Sequence, residues 1–203
     1  MFYFFPIDFV YSNKVENHRD VKNKILNEIH SRVDNEKGSF PIDHVFQSYY
    51  NGNEYNSFLF DDEILNIVVW KPLEQMLSEL KEKFDFPWLN PESSIILNCW
   101  YNRYDKGDYI GLHDHLANGR DGYIPSFSFI YIVDTDGQEN TTVFRKRSPL
   151  TCSPVFGQHL YDTREEKSIG EGSVVIFPSH LEHFVLPESG KKITCQFNIG
   201  TKY

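Results

Sequence analysis

The stretch "GEGSVVIFPSHLEHFVLPESGKKITCQFN", residues 170 to 198, reads as three short strands in succession. A glycine turn leads into "SVVIF", Pro178 closes that run, and an extended segment restarts at His183 in "HFVLP". Proline lacks the amide donor that a ladder requires, so it ends the first strand. In "KITCQFNI" the residues Ile193, Cys195, Phe197 and Ile199 face one way, and Lys192, Thr194, Gln196 and Asn198 face the other. Such a polar row either meets solvent or lines an interior and serves a polar ligand, because buried polar groups need partners.

Working outward, the same texture extends back to about residue 95. Runs rich in Ile, Val, Phe, Tyr and Thr at 95 to 104, 108 to 113, 126 to 133 and 141 to 146 precede those at 173 to 177, 182 to 186 and 192 to 199. A long connection spans about 147 to 170, a length that is uncommon unless the loop is functional or mobile. Before residue 95 the pattern is helical. Val21, Ile25, Ile29 and Val33 recur every four positions behind Asp20, a fitting cap. A second helix starts near Asp61, is interrupted at Pro72, and continues as a stripe of Leu73, Met76, Leu77, Leu80 and Phe84 that suits core packing. "MFYFFPIDFVYS" reads as an opening strand, and "VFQSYYNGNEYNS", residues 45 to 57, as a turn-rich segment able to fold over a pocket. One domain over 1–203 is expected: a strand and supporting helices in 1–94, and a β core in 95–203 built as a sandwich or barrel.

Composition narrows the functional classes. The 203 residues carry a net charge of -9, which argues against a nucleic-acid partner because a polyphosphate would be repelled. Pro6 and Asp8 interrupt the apolar start well before it could cross a bilayer or serve as a signal core, so no membrane segment is expected. Cys99, Cys152 and Cys195 show no paired spacing, which points to a reducing, cytoplasmic compartment. Asn140-Thr141-Thr142 matches a glycosylation triplet that, without an export signal, carries no weight.

The chemistry concentrates in "YDKGDYIGLHDHL", residues 104 to 116. If the strand continues through it, His113 and His115 share a face and Asp114 points away. Two imidazoles make half a site, so a third ligand must come from elsewhere. His180 and His183 both qualify on spacing; His183 heads a strand, whereas His180 lies in a turn. A bulge would instead bring Asp114 inward as the ligand; otherwise it is a solvated charge or supports a ligand from behind.

Other candidates are weaker. His18, His30 and His44 lack ligand spacing and read as surface residues, and His159 as a loop histidine. Arg145-Lys146-Arg147 reads as a solvated strand end. Cys195 lies on the apolar face of its strand, where a thiol is inert packing.

Taken together, Tyr104, Gly107, His113, the position two later, His183 and Lys192 resemble the Fe(II)/2-oxoglutarate-dependent oxygenases, in particular the prolyl-hydroxylase-like branch with its uncharacterised, partly phage-encoded members. "RDGYIPSFSFIYIVD", "GQENTTVF" and "GSVVIFPSHLEHFVLP" are similar to that branch's following strands, so the resemblance covers roughly residues 95 to 200. It implies a mainly β fold with N-terminal helices: a double-stranded β-helix, or jelly-roll, with the helices on the outer face of one sheet. It implies Fe(II) held by His113, His115 and His183, and 2-oxoglutarate held by Lys192 with Tyr104, Asn102 and Thr194 beside it. The implied reaction is hydroxylation of an unactivated C–H bond with dioxygen, on a peptide, protein or small-molecule substrate. The chain departs from the family at position 115, where histidine replaces the usual carboxylate and removes one negative charge from the metal. A three-histidine metalloprotein acting without 2-oxoglutarate, and a non-catalytic binding module, are the alternatives; an inward lysine at 192 argues for the oxoacid.

Overall fold

The computed structural model describes residues 8–32, 45–48, 61–84, 93–116, 119–146 and 159–202. Within these, the protein is mainly β with helices confined to its first half. Strand β1 (Tyr11–Lys14) and helix α1 (His18–Arg32) come first, then β2 (Phe46–Gln47) and helices α2 (Asp62–Leu65) and α3 (Lys71–Phe84). The remaining strands are β3 (Ser94–Tyr104), β4 (Ile110–His113), β5 (Ile124–Asp134), β6 (Thr142–Lys146), β7 (His159–Asp162), β8 (Ser173–Pro178), β9 (Glu182–Val185) and β10 (Lys192–Thr201). They form two antiparallel sheets, ordered β1-β8-β5-β10-β3-β2 and β4-β9-β6-β7.

The alternation in β10 decides what lies on each side of the larger sheet. Ile193, Cys195, Phe197 and Ile199 join Ile25 and Ile29 of α1 and Leu73 and Met76 of α3 in one buried cluster. The opposite face meets the smaller sheet: Ile130, Ile132, Val175 and Phe177 pack with Phe144 of β6. On that inner face Lys192, Thr194, Gln196 and Asn198 are all buried, so the polar row lines an interior.

Local differences from the sequence-based expectations have physical causes. Asp20 sits inside the first turn of α1, where its charge complements the helix dipole, and does not cap it. Asp61 does cap α2, accepting from the amides of Glu63 and Ile64 at 3.0 and 3.2 Å. The interruption near Pro72 takes the form of a five-residue π-helical turn, Asn66–Trp70, ahead of α3. Proline lacks an amide proton, so a loosened turn before it costs no extra hydrogen bond. The connection after β6 contains a strand, β7, paired with β6, and a short 3-10 turn at Thr163–Glu165. Residues 1–7 of the opening run, Val33, 49–57 of the turn-rich segment, His44, Arg147, Cys152 and the side chains of Phe84 and His159 lie outside the described residues.

Candidate metal centre

His113 ends β4 directly across from His183 in β9, with an irregularity in β4 between Ile110 and His113. His115 lies beyond the strand. Its amide donates to the Ser179 carbonyl at 2.9 Å, so a turn contact, not strand alternation, aims it inward. Asp114 turns away and accepts from the Leu116 amide at 3.2 Å. The ligand atoms of His113, His115 and His183 lie within 4.8 Å of one another, the one such cluster among the described residues.

Each imidazole is oriented by its Nδ1. Nδ1–H of His113 donates to the Gly111 carbonyl at 2.8 Å, that of His183 to the Leu181 carbonyl at 3.2 Å, and that of His115 to Oδ1 of Asn198 at 2.7 Å. Carbonyl oxygens only accept, so the proton resides on Nδ1 and the Nε2 lone pair is left for a metal. Asn198 is itself held by Ser128, whose hydroxyl donates to the same Oδ1 at 2.8 Å and lies 3.0 Å from that of Ser179. Such supports fix ring orientation in metal sites.

Burial disfavours the charged form of two of these rings. Desolvation, reinforced by His113, pulls the His115 pKa from 6.5 to about 4, against opposing effects of Asn198 and Asp114. Desolvation, with His113 and His115, holds His183 well below its ordinary value. Phe177 packs against His183 and His115 with ring centroids 4.8 and 6.1 Å away, and Phe144 lies 5.7 Å from His183. These aromatic walls limit water near the cluster.

The polar row of β10 continues from this cluster towards Lys192. Lys192 pairs in register with Tyr104 of β3, and Thr194 with Asn102. The Lys192 ammonium lies 4.5 Å from the centre of the Tyr104 ring, and Asn102 donates to the Tyr104 hydroxyl at 3.1 Å. Lys192 also forms a buried ion pair with Glu188 and donates to the Thr141 hydroxyl at 3.3 Å. Burial pulls its pKa down, and Glu188 partly restores it.

Glu188, Thr141, Asn198, Ser128 and Ser179 are the site residues that sequence reasoning missed. Asn198 was visible as part of the inward polar row. Glu188 sits in a turn, "PESG", where an acidic residue reads as solvated.

Elsewhere, His180 lies in the turn after β8 and pairs with Asp8 at 2.7 Å, apart from the cluster. His30 is exposed, but His18 is not a plain surface residue: its Nδ1 is 2.7 Å from the Tyr131 hydroxyl, tying α1 to β5. Nor is Arg145 simply solvated, because Nε and a terminal nitrogen grip the buried Glu182 at 2.9 and 2.6 Å. Cys195 is fully buried and its thiol pKa is raised by desolvation. Asn140 of the glycosylation triplet is buried, donating to Thr163 at 3.0 Å, and is therefore not presented for modification. Among the described residues no helix is long and apolar enough to cross a membrane.

No protein-family model and no curated protein matches the sequence. Solved structures do match. A prolyl-4-hydroxylase of Pseudomonas putida aligns over 96% of this chain and 92% of its own at 12% identity and a TM-score of 0.53. The viral collagen prolyl hydroxylase of Paramecium bursaria Chlorella virus-1, in its 2-oxoglutarate complex, aligns over 96% of both chains at 12% identity and 0.53. In fold, this chain resembles the prolyl hydroxylases. The non-heme alpha-ketoglutarate-dependent epimerase SnoN of nogalamycin biosynthesis aligns over 96% of this chain and 78% of its own at 8% identity and 0.57. The shared fold thus spans more than one reaction type.

Proposed function

We propose that this chain is an Fe(II)- and 2-oxoglutarate-dependent dioxygenase that hydroxylates an unactivated C–H bond, built on a double-stranded β-helix with helices on the outer face of one sheet. The observation that carries this reading is the convergence of three imidazoles whose Nδ1 protons are all engaged elsewhere. The donor set fits a divalent first-row metal, because imidazole suits iron and three ligands on one face leave positions for an oxoacid and dioxygen. His113, His115 and His183 would hold it. Three neutral rings also leave the metal's full double charge to attract the oxoacid head.

Bound there, iron supplies oxygen activation coupled to decarboxylation of 2-oxoglutarate to succinate and CO2. The chain's own part is positioning. Lys192, with Tyr104, Asn102 and Thr194 around it, would orient the far carboxylate, and Phe144 and Phe177 would keep water from the reacting centre. The primary substrate would be a peptide or protein side chain, an amino acid or another small molecule, in a cytoplasmic setting.

The test is to add Fe(II) and 2-oxoglutarate without oxygen, follow the visible metal-to-ligand charge-transfer band, then admit air and measure succinate. A band followed by succinate supports the reading. Metal binding without a band would instead favour a three-histidine metalloprotein acting without 2-oxoglutarate, and a band without succinate a binding module.

A further inference from the structure

Glu188 occupies the turn between β9 and β10, and nothing in the proposed reaction requires it. Its side chain and that of Lys192 are each 1% exposed, and they form an ion pair through Oε1. The Thr141 hydroxyl donates to the same oxygen. The backbone of Glu188 is held at both ends: its amide donates to the Asp108 carbonyl at 2.9 Å, and its carbonyl accepts from the Gly107 amide at 2.8 Å. Gly107 has a φ of 92°, a conformation that favours glycine, so the β3–β4 turn is shaped to reach Glu188. The turn thus holds Glu188 at Lys192, and its Oε1 meets both Lys192 and Thr141.

Beside the ion pair, some buried acceptors are left unpaired. Oε2 of Glu188 and Oδ1 of Asn102, whose amide reaches the Tyr104 hydroxyl beside Lys192, are buried acceptors with no hydrogen-bond partner among the described residues. A second carboxylate arriving at Lys192 needs donors and would meet acceptors and a fixed negative charge. With a divalent metal held by the three histidines, the uncompensated positive charge of the pocket would sit at that end.

Building on the oxoacid-dependent reading above, we propose that Glu188 is a specificity-determining residue: it cancels the charge of Lys192, so a 2-oxoacid is recognised chiefly by its head at the metal. Lys192 then still positions the distal carboxylate of 2-oxoglutarate but draws little affinity from it.

The experiment titrates the Fe(II)-loaded full chain, without oxygen, with 2-oxoglutarate and with 2-oxopentanoate, which has the same carbon chain but a methyl end, and reads each Kd from the charge-transfer band. In the wild type the two Kd values should lie within about tenfold of each other, less than a freely available charge-assisted bond would give. Glu188→Gln should tighten 2-oxoglutarate by about tenfold or more and leave 2-oxopentanoate nearly unchanged. The double variant Glu188→Gln/Lys192→Met should not discriminate between the two acids. Circular dichroism confirms folding of each variant; if Glu188→Gln fails to fold, the wild-type ratio and the double variant decide. A wild-type preference for 2-oxoglutarate above about a hundredfold, or an unchanged ratio in folded Glu188→Gln, would overturn the proposal while leaving oxoacid binding intact. No band with either acid, although calorimetry shows the metal bound, would overturn the oxoacid reading itself and this inference with it.

Discussion

The Nδ1 of His115 and the Oδ1 of Asn198 meet at 2.7 Å, joining a loop after β4 in the smaller sheet to the inward row of β10 in the larger one. With the backbone bond to Ser179, this hydrogen bond between the sheets sets the direction of the one imidazole of the cluster that lies outside a strand.

Removing that bond should loosen the metal without removing a ligand. Asn198→Ala is expected to lower Fe(II) or Co(II) affinity by roughly 10- to 100-fold, as is usual when a ligand's supporting partner is lost. Calorimetric titration measures this, and an unchanged affinity would show that His115 needs no support from β10.

His115 and Asp114 make opposite predictions about the ligand set. His115→Ala should abolish tight metal binding, because two imidazoles remain, whereas Asp114→Ala should leave it nearly unchanged. Co(II) absorption spectra of the two variants compare them directly; a larger loss in Asp114→Ala would mean that the acid ligates and His115 does not.

Acid should destabilise the metal-free protein in a defined window. The buried His115 ring has its pKa lowered from 6.5 to about 4, and His183 moves the same way. Between these values the unfolded chain binds the proton that the folded one refuses, so stability is complete above about pH 6.5 and declines as pH falls towards 4. For His115 alone the loss amounts to about 3 kcal/mol, at roughly 1.4 kcal/mol per pH unit. Urea midpoints across this range should fall with acidification, and fall less steeply in His115→Phe.

The packing of helices on the larger sheet can be probed at Phe197, which is fully buried in the shared cluster. Phe197→Ala should cost about 3–5 kcal/mol through lost burial and the cavity left behind. Chemical denaturation reads the difference; a loss under about 1 kcal/mol would mean that the helices and sheet close around the gap.

Most of the β architecture was legible in the linear pattern. The polar row of β10, the strands on either side of it and the strand start near His183 follow from a two-residue alternation and from prolines and glycines that stop it, whereas the inward direction of the row comes from its burial in the fold. β7 is not legible in the sequence, because four residues inside a long polar connection carry too little periodicity to stand out. His18 and Arg145 look like surface groups in the sequence for a related reason: their partners, Tyr131 and Glu182, lie 113 and 37 residues away.

By itself, the sequence put His113 and His115 on one face if the strand ran on, offered His180 or His183 as a third ligand, and through the family resemblance nominated His183 and Lys192. Only the tertiary structure decided how those groups are held and what charge they meet. Alternation governs a strand, but His115 lies past the end of one, and its direction depends on Ser179 and Asn198, 64 and 83 residues further along. Lys192 likewise belongs to a legible row, yet its neutralisation comes from a turn residue, Glu188, which burial between two other turns converts from a solvated acid into a fixed internal partner.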